Sequence, residues 1–321
     1  MALLITGGTG FIGSQLARLA VAEGQRPVLL DPAPPGPSLA DIVDQVEYVR
    51  SSLNSLSSLI EILRRHEADT VFHLGGMLSV PSEDDPWSAY EVNIQGTYRL
   101  LEAARLCGAS KFILASSIAV YSQDLPAGPA DETSVEHPTS FYGVGKVCGE
   151  LMGRFYQRRF GLDFRALRLP SVVGPGSQVP HMSIYNCWAI EKPLLNEPYQ
   201  ILVEPKTRCP VVYFKEGARG LWQLSQAPAA DIKTRVYNIN GVLPPYSAQE
   251  LVEAVTSLIP QARLSFAPDP KISQMMQHIG RLQLDDSRAR AEWGWRSAYD
   301  LVAMVRQFIA DFQAGHSVPN H

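Results

Sequence analysis

The start of the chain constrains its fold more than any other stretch. Residues 3–13, Leu-Leu-Ile-Thr-Gly-Gly-Thr-Gly-Phe-Ile-Gly, run an apolar strand into a glycine-rich turn and then into a helix beginning near Ile12. Gly8, Gly10 and Gly13 have the G-x-G-x-x-G spacing, and Gly7 adds another glycine. The chemistry of a dinucleotide site explains such a spacing through a tight turn, a backbone that can approach a pyrophosphate, and close packing of helix on strand. The unpaired N–H groups and positive dipole end of the following helix attract phosphate. A second apolar run, 27–31, ends at Asp31, near the roughly 20-residue distance at which a carboxylate meets an adenosine ribose. A carboxylate there accepts hydrogen bonds from the ribose hydroxyls and repels the extra phosphate of NADP. No basic residue follows immediately to offset that repulsion, so NAD is the expected cofactor.

Up to about residue 170 short apolar runs alternate with helical stretches, the pattern of a parallel sheet with crossover helices. Strands are expected at 3–6, 27–31, 46–49, 70–74, 111–116 and 164–169, and helices at 12–23, 55–66, 88–107 and 141–160. The expected fold class is α/β, a Rossmann-type doubly wound parallel sheet with a smaller, mostly C-terminal substrate-binding domain. Prolines and glycines punctuate residues 170–245, with a strand at 236–239. A helix at 247–258 opens on a capping box, Ser247 followed by Glu250. The expected organisation is an NAD-binding domain over 1–170, to which a strand near 235–240 returns, and a mainly substrate-binding region over 171–321. That region should pack over the carboxyl ends of the strands, where ligands of open α/β sheets bind.

Composition narrows the function classes. The chain has 321 residues, 45% of them hydrophobic, enough for a substantial core. A net charge of −4 and the lack of a basic block argue against nucleic acid as a partner. No apolar run approaches the ~18 residues of a membrane span, and no charged leader precedes the first strand, so a cytoplasmic enzyme with no membrane contact is expected. Cys107, Cys148, Cys187 and Cys209 form no C-x-x-C pair; they read as reduced, mostly packed thiols, and no metal site is expected. Trp87, Trp188 and Trp222 read as core residues, and the acids at 83–85 as a solvated turn before a helix at Trp87.

The reactive chemistry is expected at Ser117, Tyr142 and Lys146. Tyr142 and Lys146 lie one turn apart on one predicted helix and share a face. Ser117 ends a buried strand, and all three should reach the ligand edge of the sheet. A tyrosine titrates near 10 in water, so service as a base near neutrality needs positive charge beside it; Lys146 and the nicotinamide ring supply that charge. Ser117 would hydrogen-bond the reacting oxygen and align the C–H bond for hydride transfer.

These residues, with their surroundings, resemble the extended short-chain dehydrogenase/reductases, the NAD-dependent epimerases and dehydratases. The likeness runs over nearly the whole chain: Thr6-Gly7-Gly8-Thr9-Gly10-Phe11-Ile12-Gly13, His73-Leu74-Gly75-Gly76, Asn93-Ile94-Gln95-Gly96-Thr97, Ser116-Ser117-Ile118-Ala119-Val120-Tyr121, Tyr142-Gly143-Val144-Gly145-Lys146 and Arg168-Leu169-Pro170-Ser171-Val172-Val173-Gly174-Pro175. The resemblance implies a catalytic triad of Ser117, Tyr142 and Lys146. It implies cofactor contacts at Gly7, Gly10, Phe11, Ile12, Gly13, Asp31, Leu74, Gly75, Gly76, Asn93, Tyr142, Lys146 and Pro170. Asn93 would bend its helix and support the lysine. A homodimer through a four-helix interface, built by the helices near 88–107 and 141–160, is implied as well.

Two branches of the family look similar. The segments 73–79, 85–93 and 142–168, with Ala291-Glu292-Trp293-Gly294-Trp295, look like short-chain-type L-threonine 3-dehydrogenases. Pro170, the segment 116–120 and Ala267-Pro268-Asp269-Pro270-Lys271-Ile272 look like D-erythronate dehydrogenases. Both take a small hydroxy acid. Departures are equally informative. Ser171 stands where nucleotide-sugar enzymes of the family commonly carry asparagine, and Ser52 lies near the usual adenine-side acid. The segment 275–282 lacks the tryptophan of threonine dehydrogenases, and 180–185 lacks their substrate-loop threonines.

The expected function is NAD-dependent oxidation of a secondary alcohol on a small hydroxy acid or amino acid. The alternatives are a redox-neutral nucleotide-sugar epimerase or dehydratase and a non-catalytic NAD-sensing protein. For the substrate, Arg208 is the expected carboxylate partner, because a guanidinium binds a carboxylate bidentately. Ser79, Ser183 and Tyr185 are the expected hydroxyl donors, with Ser117 and Tyr142 at the reacting carbon. His181 reads as a satisfied loop histidine.

Overall fold

Leu3, Leu4 and Ile5 are all buried, as a continuous apolar run requires when a parallel sheet is covered on both faces. The computed structural model describes residues 2–121, 125, 128–177, 181 and 183–315. Its strands are β1 (Ala2–Thr6), β2 (Val28–Asp31), β3 (Glu47–Arg50), β4 (Ala68–His73), β5 (Lys111–Ser117), β6 (Asp163–Leu169), β7 (Ser171–Val173), β8 (Tyr199–Ile201), β9 (Val211–Tyr213), β10 (Val236–Asn238) and β11 (Leu264–Phe266). Its α-helices are α1 (Phe11–Ala22), α2 (Leu56–Arg65), α3 (Ser79–Asp84), α4 (Pro86–Ala89), α5 (Thr97–Leu106), α6 (Phe141–Phe160), α7 (Tyr185–Leu194), α8 (Phe214–Gln226), α9 (Ala248–Leu258), α10 (Pro270–Ile279), α11 (Ser287–Trp293) and α12 (Leu301–Gln313).

A seven-stranded sheet runs in the order β3-β2-β1-β4-β5-β6-β10. Every pairing in it is parallel. The order reverses between β1 and β4, and in such sheets the crevice at the carboxyl ends beside that reversal takes the ligand. One face is covered by α1 and α8, through Leu16, Ala17, Ala20, Ala218, Leu221 and Leu224. The other is covered by α2 and α5, through Leu59, Ile62, Leu63, Leu100 and Leu101, with α6 beside them. The expected doubly wound α/β architecture is present.

The chain leaves the sheet at Pro170, and β7 pairs with β9 rather than with the large sheet. A second core gathers Tyr185, Cys187, Ile190, Tyr213, Leu251, Val255 and Phe308 from α7, β9, α9 and α12. β10 returns to the sheet edge and pairs with β6 in register, Val236 opposite Ala166. Both halves of the Ser247/Glu250 capping box form at the start of α9. The helix expected over 88–107 is interrupted: α4 and α5 are joined by a π-helical turn, Tyr90–Gly96. Trp87 is 74% exposed, which corrects its reading as a core residue. Trp222, expected in the core, is partly buried against it and stacks on Phe72 at 6.2 Å. All four cysteines are free, two of them buried. No helix among the described residues is long and apolar enough to cross a membrane.

Candidate active site

The glycine turn after β1 is built for close approach. Gly7 has a left-handed backbone, φ +67°, and a Cβ on it would lie 2.8 Å from the Gly75 nitrogen. A Cβ on Gly13 would lie 2.1 Å from the Gly7 carbonyl oxygen. Gly8, although part of the spacing, packs on Ile5 and Leu29 and does not line the cleft. No side chain caps the N-terminus of α1, so its first N–H groups remain open to a phosphate. Asp31, at the end of β2, accepts hydrogen bonds from the Thr9 and Ala33 amides, at 3.3 and 3.1 Å, and faces the same cleft.

A string of hydrogen bonds steadies the opposite lip. Gly75 N donates to Thr6 Oγ1 (3.2 Å), which lies 2.7 Å from His73 Nδ1. His73 Nε2 lies 2.8 Å from Thr97 Oγ1, and that hydroxyl donates to the Asn93 carbonyl at 2.7 Å. Since Thr97 gives its proton to Asn93, it accepts from Nε2–H, and Nδ1 accepts from Thr6: the ring is the neutral Nε2–H tautomer. Burial, and then the charge of Lys146, push the imidazole pKa down to about 3.

Ser116 and Ser117 end β5 and point to opposite sides, as strand alternation requires. Ser116 Oγ donates to Glu150 at 2.5 Å, inside a buried cluster with Arg168 and Tyr121. Ser117 Oγ accepts from the Ala119 amide (3.1 Å), which leaves its proton for a ligand. Tyr142 lies in the first turn of α6, which is capped by Ser140. The Lys146 ammonium sits 5.4 Å from the Tyr142 ring centre and donates to the Ala115 carbonyl at 2.8 Å. Ser117, Tyr142 and Lys146 line one cleft with Gly7, Gly10, Phe11, Ile12, Gly13, Asp31, Leu74, Gly75, Gly76 and Pro170. Its volume is about 1820 Å³, beyond the roughly 300–1,000 Å³ of a site for one small ligand and large enough for a dinucleotide with a second molecule.

Two assignments need correction. Arg208 does not reach the cleft: it is 46% exposed, donates to the Pro245 carbonyl and pairs with Glu250 at 3.3 Å. Its charge is spent at the start of α9. Asn93 bends its helix at the π turn but does not line the cleft, and its side chain makes no hydrogen bond to Lys146 among the described residues. Its side chain accepts from Met77 N (2.8 Å) and donates to Met77 O (3.0 Å), so it clamps the loop after Gly76.

Ser79, Ser183 and Tyr185 do line the cleft, together with Ser52 and Ser171. Ser171 and Ser183 share a short hydroxyl–hydroxyl bond, and His181 Nδ1 lies 3.2 Å from Ser183 Oγ. His181 is therefore partnered, and burial lowers its pKa to about 4. Pro180 and Met182 fall outside the described residues. Burial also raises the Tyr185 hydroxyl pKa well above its usual value.

Sequence reasoning missed Glu83, Trp188, Lys271 and Arg281, all of which line the cleft. Glu83 is exposed as expected, but it lies in α3 rather than in a turn, and its carboxylate accepts the Phe141 amide at 2.6 Å, next to Tyr142. Asp85 does have the expected helix-end role, accepting from Ser88 N at 3.0 Å.

The fold and this cleft define a dinucleotide-binding enzyme scaffold of the Rossmann type, and the glycine cradle and Asp31 fit NAD. Residues 3–240 match the NAD dependent epimerase/dehydratase family, and the chain belongs to it. The mitochondrial L-threonine 3-dehydrogenase of Bos taurus is 30% identical over 309 residues, 96% of this chain and 81% of that protein. Among solved structures, the holo form of a GalE-like L-threonine dehydrogenase from Cupriavidus necator superposes with a TM-score of 0.88 at 27% identity, over 97% of this chain and all of the other. UDP-glucose 4-epimerase of Thermotoga maritima, solved with UDP-glucose, shares the fold with a TM-score of 0.85 at 24% identity, over 98% of this chain and 99% of its own.

Proposed function

We propose that this protein is an NAD-dependent dehydrogenase that oxidises the secondary alcohol of a small hydroxy acid or a 3-hydroxy amino acid. The observation that carries this reading is the convergence of Ser117, Tyr142 and Lys146 beside the glycine cradle. NAD, when bound, supplies the two-electron acceptor for the alcohol's C–H bond. Ser117 donates its free proton to the substrate oxygen and fixes the reacting carbon. Tyr142, acting as the phenolate, takes the hydroxyl proton and becomes the neutral phenol, with the Lys146 ammonium, fixed by the Ala115 carbonyl, beside its ring. Glu83 holds the amide preceding Tyr142 and so sets where the phenol stands.

Two observations favour net oxidation over a redox-neutral epimerase. The Bos taurus relative at 30% identity and the Cupriavidus necator structure at 27% identity are named L-threonine dehydrogenases. Ser171 is bonded to Ser183 instead of offering an asparagine amide to a nucleotide's phosphates. The substrate residues on this reading are Ser79, Ser117, Tyr142, Ser183 and Tyr185. The chain divides by role, residues up to 170 and the returning β10 holding NAD and most of the rest holding substrate. Its free cysteines suit a reducing compartment such as the cytoplasm. Tyr98, Leu151, Phe155 and Phe160 expose a shared apolar face of α5 and α6, the surface on which two copies pair as a four-helix dimer.

The test is NADH formation by the purified protein with NAD and L-threonine, D- and L-aldonates, uronates or UDP-sugars. NADH is expected with a hydroxy acid or hydroxy amino acid, and Tyr142→Phe should lower kcat at least about 100-fold with NAD affinity retained. Conversion of a UDP-sugar without NADH would overturn the reading in favour of an epimerase, and an active Tyr142→Phe enzyme would refute the base.

A further inference from the structure

With Arg208 turned away, a carboxylate in the cleft needs another partner. Among the described residues lining the cleft, Arg281 is the one arginine. Its side chain has no hydrogen-bond or ion-pair partner among the described residues and stays exposed to water. Lys271, in the first turn of α10, adds a second cation to the cleft lining. The third cation of the cleft, Lys146, is held by the Ala115 carbonyl.

The backbone that carries Arg281 is fixed although its charge is free. Gly280 lies so close to the Arg208 main chain that a Cβ would sit 2.9 Å from the Arg208 carbonyl oxygen. Gly280 N donates to Met276 O (2.8 Å) and Leu282 N to Ile279 O (3.1 Å). Ile279 and Leu282, on either side, pack against a cluster formed by Ile118, Val120, Tyr121, Ala130 and Leu284. Ile118–Val120 is the single 3-10 turn that directly follows Ser117. A guanidinium whose backbone is held in this way, on the cleft wall, can bind a planar anion bidentately.

We propose that Arg281 is the carboxylate anchor of the substrate, pairing with the acid group of a short 3-hydroxy acid or amino acid whose hydroxyl lies at Ser117 and Tyr142, with Lys271 as a supporting charge. This rests on the dehydrogenase reading above. It also narrows that reading to a substrate whose acid group and reacting carbon belong to one molecule, since the segment bearing the anchor joins the cluster that contains the turn after Ser117.

The test compares wild type, Arg281→Met and Arg281→Lys with L-threonine, D-erythronate and the methyl ester of each. With the acid that wild type oxidises, Arg281→Met should raise KM about 10–100-fold. Arg281→Lys should recover part of the loss, and the ester, which lacks the carboxylate, should be oxidised equally by all three. NAD affinity and melting temperature should stay at wild-type values, which separates anchoring from a structural effect. An unchanged KM for the acid in Arg281→Met would overturn the proposal while leaving the dehydrogenase intact. Wild-type enzyme that forms no NADH with any acid would instead bring down the reading on which it rests.

Discussion

At the scale of single residues, the glycine turn leaves no room for adjustment. A methyl group on Gly13 would stand 2.1 Å from a backbone oxygen that cannot rotate away, so either α1 or the Gly7 turn must move. Gly13→Ala should cost about 1–3 kcal/mol of stability and most of the NAD affinity, read by urea unfolding and by titration with the cofactor. Wild-type affinity in a normally folded variant would show that the turn does not cradle the dinucleotide. The residues of this turn were legible in the sequence because their geometry is local: each glycine answers a constraint set by its neighbours in the chain. Arg208 and Arg281 show the opposite. Both are charged residues in a region of weak pattern, and the structure alone reveals that Glu250 occupies one while the other lines the cleft. The capping box of α9 was readable, but that its glutamate also takes up an arginine from another segment was not.

At the scale of elements, the buried string Thr6–His73–Thr97–Asn93 ties the ends of β1 and β4 to the π turn and the start of α5. It needs a neutral imidazole, because a second ring proton would turn Nδ1 from an acceptor into a donor facing Thr6. His73 titrates near 3 in the folded chain and near 6.5 when unfolded, so the unfolded state binds the proton first. The stability it contributes is full above about pH 6.5 and is lost as pH falls toward 3, at up to about 1.4 kcal/mol per unit. Urea midpoints of wild type should drop more steeply between pH 7 and 5 than those of His73→Gln, which cannot titrate; parallel curves would sink this account. The elements themselves divide at Pro170. Before it, strands buried on both faces write themselves as apolar runs. After it, β7, β8 and β9 are three residues each, too short for a period to show. Helix α8 contains Gly217 and Gly220, which resemble breakers but serve packing: a Cβ on Gly220 would lie 3.0 Å from Leu167 and 3.2 Å from Trp295.

At the scale of the whole molecule, α6 does two jobs along one axis. Its first two turns carry Tyr142 and Lys146, and further along it presents Leu151 and Phe155, 59% and 46% exposed, beside Tyr98 of α5. Burying such side chains contributes about 1.5–3 kcal/mol each, and a two-fold axis through this face would double the count. Leu151→Glu with Phe155→Glu would then place charges inside the proposed interface, and sedimentation velocity should show a dimer for the wild type and a monomer for the variant. Because Glu83 and Ser140 fix the N-terminal end of α6 from within one chain, Tyr142 does not need the partner for its position. The separated monomer should therefore keep its KM for NAD and lose stability before it loses kcat. A wild type that sediments as a monomer would refute the interface, and a monomeric variant with kcat abolished but unfolding unchanged would show that the partner helps to position the tyrosine.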